Sequence, residues 1–140
     1  MQGTRTFTII KPDAVEAGYA GKILDHVIAN GFRILAFKFT CLSKTEAEAF
    51  YAVHKDRPFF EDLTSFMSSG PIYAGVLEKA NAVEAYRDLI GATDPAEAEA
   101  GTVRALWATD KGKNAVHGAD SDETAKEEAA FFFSQRELYR

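Results

Sequence analysis

Four stretches of this chain read as β-strands, and helical periodicity fills the gaps between them. The strands are RTFTIIKP, FRILAFKFTCL, GPIYAGVLEK and NAVHGA. The first two are rich in β-branched and aromatic residues, and Pro12 and Gly70-Pro71 punctuate the set. After the first strand, Ala20, Ile23, Leu24, Val27 and Ile28 recur at helical spacing, and Gly31 is placed to end that helix. SKTE at 43–46 is a capping box opening a helix through AEAFYAVHK, and EDLTSFM adds a further turn or two. Asn81, with Glu84 three residues on, is expected to cap AVEAYRDLI, which Gly91 closes. Asp120 or Ser121 opens a last helix through DETAKEEAAFFF. This order, β-α-β followed by β-α-β, predicts a ferredoxin-like α+β sandwich: a four-stranded antiparallel sheet covered by helices. A doubly wound parallel sheet would alternate too, but it favours unbroken Val/Ile strands and a glycine-rich first turn, which are missing here.

With 140 residues, the chain is expected to form one domain spanning 1–140. Its net charge of −5 argues against a nucleic-acid partner, because such affinity comes mostly from cations neutralising phosphates. An anionic substrate would have to be drawn by a local cluster of cations. Cys41 is the only cysteine, the N-terminus lacks an apolar leader, and no stretch is long enough for a bilayer. A cytoplasmic protein with no membrane partner is expected. One stretch breaks the regular pattern: ATDPAEAEAGTVRALWATDKGKN carries at most one short helix, capped by Asp94 with Pro95 first. A loop of that length and composition points to function.

Three ionisable groups interrupt apolar patterns. Arg87 falls on the stripe of Val83, Tyr86 and Ile90; Glu128 sits among Ala125, Phe131 and Phe132; His117 alternates with Ala115 and Ala119. A charge facing a core is unfavourable by several kcal/mol unless paired. If Glu128 accepts a proton from one nitrogen of His117, the other nitrogen keeps a free lone pair and becomes a nucleophile. No second His or Cys lies at ligand spacing, and Gly118 is expected to keep the backbone slim beside the reacting nitrogen. Lys11, Arg87 and Arg104 suit a polyphosphate, with Thr93 and Asn114 as neutral donors and Phe59 as a flat face for a base. Taken singly, each has a structural explanation, such as an arginine that snorkels to solvent or a hydrogen-bonded core histidine. Their convergence beside one long loop favours a site. GYAGKI fails as a phosphate loop, with two residues between its glycines instead of four, and DSDETA lacks the glycine of a calcium loop. His54 shares a side with Phe50 and Tyr51 and is assigned no role.

From end to end the chain resembles the nucleoside diphosphate kinase family. The stretches that carry the likeness are RTFTIIKPDAV, NGFRI, FYAVHKDRPFF, the SGP before the third strand, GATDPAEAEAGTVR and NAVHGADS. The last matches an Asn-x-x-His-Gly-Ser-Asp signature. The resemblance implies ping-pong transfer of a γ-phosphate between nucleotides through a phosphohistidine on His117. By position it gives Lys11, Arg87 and Arg104 to the phosphates with Thr93 and Asn114. It gives Tyr51 and Glu128 the orientation of His117, and Phe59 the base. It also implies Mg2+ carried by the nucleotide phosphates and a homo-oligomer, tetramer or hexamer. Ala119 stands where the signature has serine, so slower turnover with retained chemistry is expected. Lys111 and Leu106 lie where many relatives differ. The rival to an enzyme is a nucleotide-binding or scaffolding module of the same fold with weakened catalysis; an RNA-binding sandwich would need exposed sheet aromatics and basic neighbours.

Overall fold

The computed structural model describes residues 3–138. Its sheet has the order β2-β3-β1-β4 with every neighbouring pair antiparallel, from β1 (Arg5–Ile10), β2 (Arg33–Thr40), β3 (Ile72–Glu78) and β4 (Val116–Gly118). This is the ferredoxin-like arrangement read from the alternating pattern. β1 and β2 are separated by β3, and β3 and β4 by β1, so each half needs a helical crossover. The first is supplied by α1 (Pro12–Glu16) and α2 (Ala20–Ala29), the second by α5 (Ala82–Ile90) and α6 (Val103–Trp107). α3 (Lys44–Phe50) and α4 (Phe60–Met67) join β2 to β3, while α7 (Asp122–Phe132) and α8 (Gln135–Leu138) follow β4.

Strand alternation divides the interior in two. Phe7, Ile9, Ala74 and Val76 meet Ala47, Tyr51, Met67, Ala125 and Ala129 from α3, α4 and α7 on one face. Ile10, Leu77 and Val116 meet Ile23, Val27, Tyr86, Ile90 and Val103 from α2, α5 and α6 on the other. β1 is therefore buried along nearly its whole length, whereas β2, at the edge, has no fully buried residue. Among the described residues no helix is long and apolar enough to cross a membrane.

The capping box is formed as read: Ser43 Oγ accepts from Glu46 N–H, and Glu46 accepts from Ser43 N–H. Ser121 caps α7 by accepting from Thr124 N–H, and Asp94 accepts from Ala96 N–H before the single turn at Pro95–Glu97. Asn81 does not cap α5. It sits in the left-handed region (φ 52°) and not in the extended region from which an N-cap side chain reaches the second and third helix N–H groups, while the Gly3 carbonyl accepts from the first, that of Ala82, at 3.2 Å. The long irregular stretch holds a second short helix, α6, begun by Thr102 accepting from Ala105 N–H. α1 and α8 are likewise beyond the sequence reading, being four or five residues long with too few turns to show a period.

Candidate active site

β4 pairs with β1 so that His117 stands beside Ile9, on the Phe7 face of the sheet. Rings of Phe7, Phe50 and Tyr51 meet the imidazole edge-on at 5.7–6.2 Å. On α7, Glu128 lies one turn from the buried Ala125 and next to the buried Ala129, and its Oε1 accepts from His117 Nε2–H at 2.8 Å. The acceptor is a carboxylate, so the proton lies on Nε2 and the lone pair on Nδ1. Both side chains keep a little solvent contact, 19% for His117 and 16% for Glu128. The aromatic collar fixes the ring plane and the carboxylate fixes the tautomer.

Tyr51, at the end of α3, packs its ring against His117, and its buried hydroxyl makes no hydrogen bond. Burial, with the Glu128 charge adding to it, pushes that phenol far above its ordinary value, so it is a neutral O–H with an unused donor. Ala119 is also buried, in the Phe7 cluster. Gly118 faces the opposite way from the expectation. A side chain there would come within 3.1 Å of Ile90 and Tyr86, so the glycine makes room for α5 against β4 and not for the imidazole.

Beyond Ile9 on the same face comes Lys11, whose ammonium donates to Asn114 Oδ1 at 2.8 Å and is 93% buried as a residue. Burial, then the neighbouring Arg104 charge, lower its pKa from 10.5 to about 8, against a smaller upward pull from Asp13. Asn114 donates both amide hydrogens, to the carbonyls of Thr93 (3.2 Å) and Lys111 (3.1 Å). Its donors are thus already used: it ties three segments of the cleft together instead of presenting free N–H groups. Lys11, Phe59, Thr93, Lys111 and Asn114 line a cleft of about 700 Å³, in which Phe59 is 47% exposed.

Thr93 also lines an adjoining pocket of about 320 Å³ with Arg87 and Arg104. The two arginines differ. Arg104 is buried and donates to three carbonyls, those of Asn114, Gly91 and Val116, at 2.9–3.3 Å. Desolvation lowers its pKa to about 10, which leaves the guanidinium charged at neutral pH with two of its five N–H groups unused. Arg87 is exposed, because the buried stripe of α5 is Ala82, Tyr86 and Ile90. It lies at the flank of that stripe and not on it.

Immediately before β4 the chain makes a three-residue turn. Ala115 has φ 75°, and Val116 N–H donates to the Asn114 carbonyl at 2.8 Å. An alanine held there stores on the order of 1–3 kcal/mol of strain. The kink sends Ala115 into the Ile10–Val116 cluster, so it does not share a face with His117 as strict alternation had suggested. Asp13, which the sequence reading passed over, accepts from Ala115 N–H at 3.1 Å. An acid in the first turn of a helix reads as an ordinary dipole partner, and only the fold brings residue 115 to it.

The fold and much of the sequence are shared with known proteins. The family model for nucleoside diphosphate kinase matches residues 4–138. The nucleoside diphosphate kinases of Helicobacter hepaticus and Campylobacter jejuni subsp. doylei are each 58% identical, covering 96% of this chain and 98% of theirs. The solved nucleoside diphosphate kinase of Aquifex aeolicus superposes with a TM-score of 0.94 at 49% identity, covering 96% of this chain and 97% of that one. That of Halobacterium salinarum, in complex with CDP, gives 0.92 at 39% identity, with coverage of 97% and 91%. This chain belongs to the nucleoside diphosphate kinase family, and it moves the terminal phosphate of a nucleoside triphosphate onto a nucleoside diphosphate.

Proposed function

We propose that this single-domain enzyme works by a ping-pong route with His117 Nδ1 as the nucleophile. The lone pair on Nδ1 forms a bond to the γ-phosphorus as the bond to the bridging β-oxygen breaks, and the diphosphate departs with that electron pair. A terminal oxygen of a second diphosphate then forms a bond to that phosphorus as the N–P bond breaks, and His117 Nδ1 recovers its lone pair. Glu128 holds Nε2–H throughout, so the imidazolium-like charge that builds on phosphorylation meets a carboxylate. The Tyr51 hydroxyl is an uncommitted donor beside the ring. Lys11, Arg87 and the two spare N–H groups of Arg104 stabilise the moving charge, helped by Thr93, while Asn114 holds Lys11 in place. Phe59 stacks on the base, a contact that reads a flat face and so accepts every nucleobase. Mg2+, which family membership implies, would be held by the nucleotide phosphates and would supply charge neutralisation there alongside Lys11, Arg87 and Arg104.

The observation that carries this reading is the 2.8 Å bond from Nε2 to Glu128, which leaves Nδ1 as the one nitrogen free to react. Incubation with γ-labelled ATP and no acceptor tests it. The protein gains an acid-labile, alkali-stable label, and His117→Ala gains none. A labelled His117→Ala protein refutes the assignment.

The protein is further read as a cytoplasmic homo-oligomer. β2 is an eight-residue edge strand with Phe39 59% exposed, an edge that soluble proteins normally cover. Pairing of β2 with a second copy would cover it.

A further inference from the structure

Three residues, Lys11, Asp13 and Arg104, grip the kink that precedes β4. Lys11 N–H donates to the Ala115 carbonyl at 2.8 Å, and Asp13 Oδ2 accepts from Ala115 N–H at 3.1 Å. Lys11 and Asp13 thus hold both backbone polar groups of the one residue in the turn with a left-handed φ. Arg104 takes the carbonyls on either side, those of Asn114 and Val116. Strain of this kind persists only where the surroundings over-determine it. The two bonds to Ala115 are not equivalent. A main-chain donor is present at almost any residue, but the acceptor for Ala115 N–H exists only because the side chain of residue 13 carries an acceptor oxygen at that reach.

The other Asp13 oxygen, Oδ1, is buried with no hydrogen-bond partner. Burial pushes the Asp13 carboxyl up, against the pull of the Ala115 N–H, helix N–H groups and Lys11. Keeping a half-satisfied carboxylate in such a place is unfavourable, so it is retained for what Oδ2 holds.

We infer that Asp13 is a positioning residue for the phosphoryl transfer: by fixing the left-handed turn at Ala115 it sets the register of Asn114, which holds Lys11, and of His117, two residues on. The inference rests on His117 as the nucleophile. Asp13 touches neither nucleotide nor imidazole in this scheme; it acts through the backbone. Losing it would let the turn relax to φ < 0, and a displacement of about 1 Å at a reacting atom slows a reaction on the order of 100-fold.

Single-turnover labelling of the full chain with γ-labelled ATP, alongside the KM and kcat of the complete reaction, tests this. Asp13→Ala slows phosphoenzyme formation by about 10- to 100-fold, with the loss mainly in kcat. Asp13→Asn, whose amide oxygen can accept the same bond, stays within about threefold of the unaltered protein. Adding Ala115→Gly to Asp13→Ala restores most of the rate, because glycine occupies φ near +75° without strain. If Asp13→Ala alone does not fold, the double variant decides: a folded, active double variant supports the inference, and an inactive one overturns it. Asp13→Ala at full speed overturns it. So do equal losses in Asp13→Ala and Asp13→Asn without recovery by Ala115→Gly, which assign the carboxylate to charge balance beside Lys11. A His117→Ala control labelled in the same assay instead overturns the nucleophile, whatever residue 13 does.

Discussion

The two ends of the nucleotide cleft are built on opposite terms. At the His117 end almost every polar group is already bonded within the protein: Nε2 to Glu128, Lys11 to Asn114, three donors of Arg104 to carbonyls. At the Phe59 end the aromatic side chain is nearly half exposed and shares the cleft lining with a loop held mostly by its own hydrogen bonds, with only the Lys111 carbonyl tied to Asn114. In that loop Asp110 Oδ1 accepts from the N–H groups of Gly112 and Lys113. The contrast matches the two demands on such an enzyme. Phosphoryl transfer needs groups fixed before the substrate arrives, since reorganisation at the moment of reaction raises the barrier. Base binding must accept several heterocycles, so that end gains from a side chain such as Phe59, whose only aromatic contact among the described residues is the His54 ring and which keeps nearly half its surface open.

The widest gap between the two ends is predicted at Glu128. Glu128→Gln removes the negative charge and lets either tautomer form, so Nδ1 is protonated in part of the population. Phosphoenzyme formation falls on the order of 100-fold while nucleotide affinity changes little. Rapid-quench labelling and equilibrium titration with a diphosphate separate the two quantities. An equal fall in both would erase the distinction between a preset reactive end and an adaptable binding end.

The arginines sharpen the same point, because one belongs to the scaffold and the other to the solvent flank. Arg104→Met leaves three carbonyls without their donor and destabilises the fold by about 3 kcal/mol, read as a lowered midpoint in urea. Arg104→Lys rescues little of this, as an ammonium cannot span three carbonyls in the guanidinium plane. Arg87→Ala leaves the urea midpoint where it is and weakens nucleotide binding. Were the two variants to lose stability alike, Arg87 would have a structural partner that the fold does not reveal.

How much of this was readable beforehand depends on how local the cause is. The sheet architecture was readable because each element carries its own period, and the Ser43 capping box because both partners lie within four residues. The His117–Glu128 pair was readable for a different reason: each group is costly on an apolar face, and each is the other's remedy. Asn81 misled because its backbone takes a left-handed conformation that turns the side chain away from the second and third helix N–H groups, and nothing in the local residue pattern announces that conformation. Gly118 misled because its neighbours Tyr86 and Ile90 arrive from the far side of the sheet. Asp13 and the turn at Ala115 left no trace in the pattern, since neither explains itself until the ends of β1 and β4 are laid side by side.

At the open end, Phe59→Ala removes the stacking surface. The KM for nucleotides rises roughly tenfold, by nearly the same factor for purines and pyrimidines, with the single-turnover rate at saturation almost unchanged. A rise confined to one base would mean that Phe59 selects and does not merely support.

The smallest effect, and the one with a sign to be worked out, belongs to Lys11, which stands where the two ends meet. Its pKa in the free protein is about 8, chiefly because burial disfavours the cation. Nucleotide phosphates restore a partner for that charge, so they bind the protonated form better. Affinity is therefore full below pH 8 and falls as the pH rises through it, by roughly fivefold between pH 7 and 9. The terminal phosphate ionises near pH 6 and contributes no step in this window. For the unliganded fold the sign reverses. The folded pKa lies below the unfolded 10.5, so burying the cation lowers stability at pH 7, and that loss fades as the pH climbs from 8 towards 10.5. Lys11→Met should flatten both curves, with weaker binding throughout. Lys11→Arg should also flatten both curves, because a guanidinium does not titrate in this range, but it keeps a charge for the phosphates. A pH step that survives in Lys11→Met would place the titrating group elsewhere in the cleft, and the reactive end would then owe its fixed positive field to a different cation.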